Sequence, residues 1–240
     1  MRDALSMAHS PITNHQRFTN HQSLVGNPVA ISDLFSRRRK EDPEADGGAS
    51  KAPVHPTKAL TKFLTTLGSH PQPTLLDIGP VVGHNVTFFG ERLGCKFQVE
   101  ELSKDIDRHV REDKLAELPA FLSKRFPQID DSFDGILCWD LFDYLDKKSA
   151  EALAKQLTRI LRPGGMLFAL FNATEAVSPQ KTYTKFFVVD DGNIQHRPYP
   201  GARGKQKPLP NRDVLRMFEP LRVIDQFLLK TNTREMLFRK

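Results

Sequence analysis

The sequence has no apolar run close to the roughly 20 residues that span a membrane, and its start lacks the apolar block of a signal peptide. Its two cysteines, Cys95 and Cys138, lie in apolar stretches, where buried, reduced thiols are expected. Because no histidines cluster with them, the sequence predicts no metal site. It also lacks the G-x-G-x-x-G motif of dinucleotide-dependent oxidoreductases. These absences favour a cytoplasmic protein without a membrane segment, a bound metal or a nicotinamide cofactor.

The net charge of +6 is concentrated in residues 173–240. A basic end attracts anionic substrates or nucleic acid, although a solvated charged surface has the same composition. No aromatic–basic motif for binding bases accompanies this basic end, so the prediction of a nucleic-acid partner is supported by charge alone. Within this end, Arg203, Lys205 and Lys207 share a loop rich in glycine and proline. The loop is predicted either to clamp a carboxylate or phosphate of a substrate or to be a basic surface loop.

Residues 1–55 are rich in polar residues, proline and glycine, and are predicted to form a flexible, disordered tail. One short helix capped by Ser32 is predicted within this tail. Residues 56–240 are predicted to form one folded domain that begins with a helix over 56–67. Within the domain, residues 174–210 form an insert.

Short apolar stretches alternate with helical patterns along the predicted domain. Strands are predicted at TLLDIG, CKFQVEEL, GILCW and MLFALFN, and the segment 106–126 is predicted to be helical with a break near Pro119. Apolar strands separated by helices indicate a parallel sheet that is covered on both faces. After the strands come a predicted β-hairpin that turns near Gly192, a helix capped by Asn211, and two closing strands.

Acidic residues and glycines follow the first two predicted strands. Asp77 ends the first strand and is followed by Gly79 and Gly83, whereas Glu100 and Glu101 end the second. In open α/β sheets, ligands bind beyond the carboxyl ends of the strands, where the strand order reverses. A carboxylate at the end of the second strand can accept hydrogen bonds from both hydroxyls of a ribose. The turn is therefore predicted either to bind a nucleotide-type cofactor or to be a structural bend.

Together with FDGILCWDLFDYL and the LRPGG that precedes an apolar strand, these motifs resemble the class I S-adenosylmethionine-dependent methyltransferases over about residues 70–240. The resemblance implies an α/β fold with a Rossmann-like, mostly parallel sheet flanked by helices. It also implies an inserted β-hairpin or lid and an antiparallel last strand. The implied cofactor is S-adenosylmethionine, and the implied partner is an unidentified small-molecule or macromolecular methyl acceptor. The cofactor-binding residues implied by the resemblance are Asp77, Gly79, Pro80, Gly83, Glu100, Glu101, Asp140 and Leu141, with Glu101 preferred to Glu100 for the ribose.

The sequence departs from the family pattern in two places. Val81 stands where the family has the middle glycine of its turn, so the side chain must point away from the cofactor or press on it. The third strand, which usually carries an Asp or Asn beside the adenine, is not recognisable. Asp130 and Asp131 are candidates for that role, or else solvated turn residues. These departures favour the alternative hypothesis of a non-catalytic methyltransferase-like protein with a regulatory or protein-interaction role.

The catalytic residues stay unknown at this point. A base is needed only if the methyl acceptor carries a proton that must leave. The candidates for proton transfer are Asp140, Asp143 and Tyr144, followed by Tyr183, His196 and Tyr199. Each has a structural alternative as a helix cap, a core side chain or a surface residue.

Overall fold

The computed structural model describes residues 52–175 and 180–240. The predicted tail, including its helix at Ser32, lies outside these residues except for its last few positions. Those positions contain a strand that was not predicted, β1 (Val54–Pro56). The first described helix, α1 (Ala59–Gly68), begins three residues later than expected.

Six strands form the central sheet, and their bounds are β2 (Thr74–Asp77), β3 (Lys96–Val99), β4 (Phe133–Trp139), β5 (Leu161–Asn172), β8 (Arg222–Leu228) and β9 (Thr233–Arg239). Their order is β3-β2-β4-β5-β9-β8. β3, β2, β4 and β5 run parallel, β9 pairs antiparallel with β5, and β8 pairs antiparallel with β9. The predicted Rossmann-like, mostly parallel sheet with an antiparallel last strand is therefore confirmed.

Five further helices connect the strands: α2 (Gly83–Leu93), α3 (Leu102–Arg111), α4 (Leu118–Leu122), α5 (Lys147–Ile160) and α6 (Asn211–Met217). α2 ends at Gly94, whose φ of 59° is a conformation that glycine adopts without strain. The predicted break near Pro119 is confirmed, because α3 ends at Arg111 and α4 begins at Leu118. Pro119 lies in the first turn of α4, where its missing N–H costs no helical hydrogen bond. The predicted cap Asn211 is wrong. It is the first residue of α6, and its side chain accepts a hydrogen bond from Arg234 instead.

The core lies on both faces of the sheet. β4 is buried along its whole length, and its side chains alternate between two apolar clusters. Ile136 and Cys138 pack with α3, α4 and α5, whereas Leu137 and Trp139 pack with α1 and α2. None of the helices in the described parts of the chain is long and apolar enough to cross a membrane.

No strand forms between α3 and β4, so β3 is the edge of the sheet. A short 3₁₀ turn (Leu115–Glu117) and α4 occupy this segment instead. Arg125, which follows α4, reaches the carboxyl end of β3 and pairs with Glu100 at 2.9 Å and with Asp105 at 2.7 Å. This ion-pair cluster stands where the resemblance implied a further strand.

A second, antiparallel sheet lies over α2 and the carboxyl edge of the central sheet. It consists of β1 and the predicted hairpin, with β6 (Thr182–Asp190) and β7 (Asn193–Pro200), in the order β1-β7-β6. Buried Asn85 of α2 holds the hairpin. Its Nδ2 donates to the carbonyl of Phe186 at 2.8 Å, and its Oδ1 accepts from the N–H of Val188 at 2.9 Å. The insert is thereby fixed above the glycine turn that precedes α2.

We expect Asn85→Ala to lower the free energy of unfolding by about 2–3 kcal/mol, because it leaves a buried N–H and a buried carbonyl of β6 without partners. Urea denaturation measures this change. Thr87→Ala, at an exposed position of the same helix, is the control and should change stability much less. Equal effects of the two substitutions would show that Asn85 does not hold the hairpin.

Candidate functional site

The carboxylate of Asp77, at the start of the glycine turn, is buried and hydrogen-bonded within the protein. Asp77 is 2% exposed, and its Oδ1 accepts hydrogen bonds from the N–H of Gly79 and from Nε1 of Trp139, both at 2.8 Å. Burial raises the pKa of Asp77 to about 7, against the opposing effect of these two hydrogen bonds. The carboxylate that was expected to contact the cofactor therefore already has two partners within the chain.

Val81 does not obstruct the site. Its side chain is 40% exposed and points away from the interior. None of residues 79–83 has a positive φ, so the conformational freedom of a middle glycine is not needed here. Of the two outcomes predicted for Val81, the structure shows the one in which the side chain points away.

Trp139 covers the turn instead. A bulge between Leu137 and Trp139 ends β4, and Trp139 has a φ of 49°, which is uncommon for a residue with a side chain. Its indole stacks on Phe186 of the hairpin at a centroid distance of 5.2 Å. A Cβ atom on Gly79 would lie 2.7 Å from Cδ1 of Trp139, so this position tolerates only glycine. The sequence analysis missed this contact, and the only signal for it was the position of Trp139 at the carboxyl end of a strand.

Beside the turn lies a small space that we call the first compartment. Predicted site residues Gly79, Pro80, Asp140 and Leu141 line it, but its volume is only about 10 Å³. Further lining residues are Ser103, Cys138, Trp139, Tyr144, Tyr183, Thr184 and Tyr199. Gly83 begins α2 and is not among them.

Two tyrosines of the hairpin close the first compartment. The hydroxyl of Tyr183 donates to Asp107 at 2.7 Å, and the hydroxyl of Tyr199 donates to Ser103 at 3.0 Å. Both acceptors belong to α3, so the end of the hairpin is tied across the compartment. Burial raises the pKa of both tyrosines, and their phenols stay protonated at neutral pH.

The two candidate ribose ligands have different surroundings. Glu100 is buried beneath the sheet edge, paired with Arg125 and hydrogen-bonded to Gln98 and Gln128. Glu101 directly precedes α3 and forms only a surface pair with Lys104 at 2.9 Å. It also lies near Tyr199, whose pKa it helps to raise. The structure thus leaves Glu101 as the accessible candidate.

Asp130 and Asp131 do not lie near the glycine turn. Both precede β4, at the opposite end of the strand from Trp139. Asp130 pairs with Arg159, and Asp131 pairs with Lys240, each at 2.8 Å. Their place at the amino edge of a parallel sheet excludes contact with a ligand bound at the carboxyl edge.

Beyond the first compartment lies a buried ion cluster. Lys205, from the loop that follows the hairpin, donates to Oδ2 of Asp140 at 2.8 Å and to Oδ2 of Asp143 at 3.0 Å. Asp143 also accepts from the N–H of Asn172 at the end of β5. The prediction that this loop either clamps an anionic substrate or lies on the surface is wrong for Lys205, because its ammonium is turned inward and shared by two carboxylates.

The cluster shifts the pKa values of its members. Burial raises the pKa of Asp143 to about 6, and Lys205 opposes this rise. Burial acts to lower the pKa of Lys205, but Asp140 and Asp143 outweigh it and raise that pKa. Burial and the nearby Asp140 raise the pKa of Tyr144, whose hydroxyl donates to Asp140 at 3.3 Å. Tyr144 is therefore a hydrogen-bond donor at neutral pH rather than a base.

A second, larger cavity adjoins the first compartment. Its volume is about 270 Å³, and it lies between the three-stranded sheet and the ends of β5 and β9. Asp140 and Thr184 line both spaces, and the hydroxyl of Thr184 donates to Asp140 at 3.0 Å. Of the proton-transfer candidates, Asp140 and His196 line this cavity.

The sequence from the glycine turn to the last parallel strand matches a known family. Residues 76–169 match the model of a family described as a methyltransferase domain, and they include the glycine turn, Glu101 and Asp140. This match supports the resemblance of residues 76–169 to the class I S-adenosylmethionine-dependent methyltransferases. No curated protein matches the chain.

Several solved structures are similar to this chain. One is the 1,6-didemethyltoxoflavin-N1-methyltransferase of Burkholderia thailandensis, solved with bound 1,6-didemethyltoxoflavin and S-adenosylhomocysteine; it is 16% identical, with a TM-score of 0.44 over 87% of this chain and 86% of that chain. A methyltransferase of Clostridium acetobutylicum is 13% identical, with a TM-score of 0.46 over 87% and 96% of the two chains. The glycopeptide N-methyltransferase MtfA, solved with S-adenosylmethionine, is 17% identical, with a TM-score of 0.42 over 83% and 98%.

The site of this chain suits S-adenosylmethionine in chemistry but not in volume. Ser103 lines the first compartment, whereas Asp77, which ends β2, and Glu101, which follows β3, lie at the same edge of the sheet without lining it. However, pockets that hold small molecules have volumes of roughly 300–1,000 Å³, and the first compartment has about 10 Å³. In this closed arrangement the cofactor does not fit, because aromatic rings of the chain fill its place.

We expect the stability of the protein to respond to the titration of Asp77. Its pKa is about 7 in the folded protein and about 3.9 in an unfolded chain. The folded state therefore binds more protons between these values, and the Asp77 contribution to stability falls as pH rises from about 4 to 7. Asp77→Asn removes this contribution, so its unfolding free energy relative to wild type should rise over that range, by about 1.4 kcal/mol per unit of pKa shift. Glu151→Gln on an exposed face is the control, and a flat difference curve for Asp77→Asn would contradict the buried, protonated carboxyl.

We expect Lys205→Met to destabilise the protein by about 3 kcal/mol at pH 8, because it leaves two buried carboxylates without a counter-charge. The loss should be smaller at pH 5, where Asp143 is protonated because its pKa is already about 6 in the wild type. Denaturant unfolding at both pH values measures this. Lys207→Met, at an exposed lysine of the same loop, is the control. A loss that is independent of pH would show that Lys205 acts through packing alone.

Proposed function

We propose that the protein is an S-adenosylmethionine-dependent methyltransferase whose acceptor occupies the 270 Å³ cavity. The observation that supports this most strongly is the shared wall formed by Asp140 and Thr184 between the two spaces. One space lies at the glycine turn, where the family binds its cofactor, and the other is large enough to contain a small molecule. Methyl transfer requires its two reactants to meet in line across such a boundary.

Cofactor binding by this chain requires the first compartment to widen. The rings of Tyr183 and Tyr199 would move away from α3 as their hydrogen bonds to Asp107 and Ser103 break. Glu101 would then be free to accept hydrogen bonds from the ribose, and the turn at Gly79 would face the methionine part. When bound, S-adenosylmethionine would supply an electrophilic methyl group on its sulfonium. The chain itself would orient the acceptor and exclude water from the boundary.

One observation favours the second candidate function, a non-catalytic methyltransferase-like protein. The indole N–H of Trp139 donates a hydrogen bond to Oδ1 of Asp77, and its ring packs against Gly79. A side chain of the protein thus takes the place of a ligand at the glycine turn. If this arrangement is permanent, the fold serves regulation or protein association. The two candidates differ in whether the first compartment opens to the cofactor.

Calorimetric titration with S-adenosylhomocysteine separates the two candidates. We expect the wild type to bind, and Tyr199→Ala to bind about tenfold more tightly, because the variant does not need to displace that ring. We expect Glu101→Gln to weaken binding about tenfold, through the loss of a charged hydrogen bond. The control Glu112→Gln, at an exposed position just after α3, should bind like the wild type.

Two outcomes would change the proposal. If neither the wild type nor Tyr199→Ala binds at millimolar ligand, methyltransferase activity is excluded and the non-catalytic candidate is favoured. If both bind but Glu101→Gln has no effect, the ribose is held elsewhere and the site residues need reassignment.

A further inference from the structure

The second cavity has an apolar floor and a polar rim. Leu170, Phe186 and Ile194 supply apolar surface from β5, β6 and β7. His55, His196 and Asn172 supply polar groups. Its volume of about 270 Å³ is close to the lower limit of roughly 300 Å³ for small-molecule pockets. The cavity therefore suits one small molecule rather than a polymer.

The charges at the cavity do not favour anions. Among the described residues that line it, the only ammonium is that of Lys205, which is bound at 2.8 Å and 3.0 Å by the carboxylates of Asp140 and Asp143. Two carboxylates thus engage this one ammonium. Arg234 lies close enough to Asp143 for their charges to interact, but it does not line the cavity. Burial lowers the pKa of His196, so this imidazole is neutral at pH 7. A carboxylate or phosphate entering the cavity would meet carboxylates and an ammonium that is already paired, in a partly desolvated place, which is unfavourable.

Two polar atoms at the cavity are available to a ligand. The bonds that Asp140 accepts from Tyr144, Thr184 and Lys205 all end on Oδ2, and none of them uses Oδ1. The buried Nε2 atom of His55 has no hydrogen-bond partner among residues 52–175 and 180–240, and the ring of His55 stacks on that of His196 at 4.3 Å. A buried polar atom without a partner is costly, and a ligand with its own polar group would relieve that cost.

We propose that the second cavity binds a small, uncharged or cationic molecule whose N–H or O–H group donates to Oδ1 of Asp140, and that it excludes carboxylates and phosphates. The identification of this molecule as the methyl acceptor rests on the proposed function. The assignment of its chemical class does not, because it depends only on the lining of the cavity. The basic composition of residues 173–240 suggested the opposite class of ligand, an anion.

Three probes of equal shape and different charge test this assignment. They are benzylamine, benzyl alcohol and benzoate, each added to the full chain at pH 7 without cofactor and followed by saturation-transfer NMR. We expect benzylamine and benzyl alcohol to bind at millimolar concentration, and benzoate to bind about tenfold more weakly or worse because of the carboxylates of the cluster. The imidazole resonances of His55 and His196 are assigned by comparison with their glutamine variants. In the wild-type protein these resonances should shift when a probe binds, which shows that the probe lies in the cavity.

Matched variants locate the binding further. Ile194→Trp fills the cavity and should abolish probe binding, whereas Val189→Trp, at an exposed position of the same hairpin, should not. Asp140→Asn removes a negative charge and should reduce the preference for benzylamine over benzoate about tenfold. Thermal unfolding of each variant verifies that it is folded.

The inference is overturned if benzoate binds as well as benzylamine, if no probe binds, or if the probes bind without shifting the two histidine resonances. Its failure is distinct from that of the proposed function, because S-adenosylhomocysteine binding is measured separately. Probes that bind to a chain unable to bind S-adenosylhomocysteine would support the ligand class and exclude its identification as a methyl acceptor.

Discussion

A single buried ammonium joins the parts of the molecule that form the site. Lys205 bridges Asp140 and Asp143, which follow β4, and Asp143 in turn binds the N–H of Asn172 at the end of β5. The N–H of Gln206 also donates to the carbonyl of Asp143 at 2.6 Å. These bonds hold the loop after the hairpin against the carboxyl ends of two parallel strands. Because breaking a buried ion cluster is costly, they also keep the 270 Å³ cavity closed on that side and remove the positive charge that the loop would otherwise present.

The first compartment is closed although the fold around it is that of a methyltransferase-like domain, so the fold by itself does not establish activity. The turn lies within the segment that matches the methyltransferase family model, yet Trp139, Tyr183 and Tyr199 of the same chain occupy the space beside it. A fold does not imply a function, which depends on the site. The proposed function and its alternative therefore differ in one physical property, the free energy needed to move the hairpin rings.

That free energy is unevenly distributed along the hairpin. Near its turn, buried Asn85 satisfies two backbone groups of β6, and Arg92 pairs with Asp191. At its other end, two phenol hydroxyls bind α3, and just beyond the hairpin the N–H of Ala202 donates to Asp107 of α3 at 2.9 Å; each such bond contributes about 1 kcal/mol net. Opening at the tyrosine end would therefore cost less than releasing the whole hairpin. The same sheet forms one wall of the second cavity, so movement at this end would affect both spaces.

Local patterns predicted the repeating elements well. The apolar strands and the turn at Gly192 each depend on residues that are adjacent or a few positions apart, and the structure confirms them. Where local signals competed with distant partners, the predictions were wrong. β1 has only three residues and exists because it pairs with β7, and Asn211 binds Arg234 rather than capping its helix.

The sequence alone determined the α/β architecture, the position of the glycine turn and the choice of acidic residues at the strand ends. Periodicity and turn chemistry are local, and they determine which segments become strands and helices. Only the tertiary structure decided that Asp77 binds Trp139, that Val81 faces away, and that Lys205 is buried between two carboxylates. The paired residues are about 60 positions apart in the sequence, and the direction of Val81 depends on the path of its turn. The free energy that favours these arrangements arises from packing and desolvation in the folded chain. A lysine from a basic loop of the sequence thus became the counter-charge of two carboxylates.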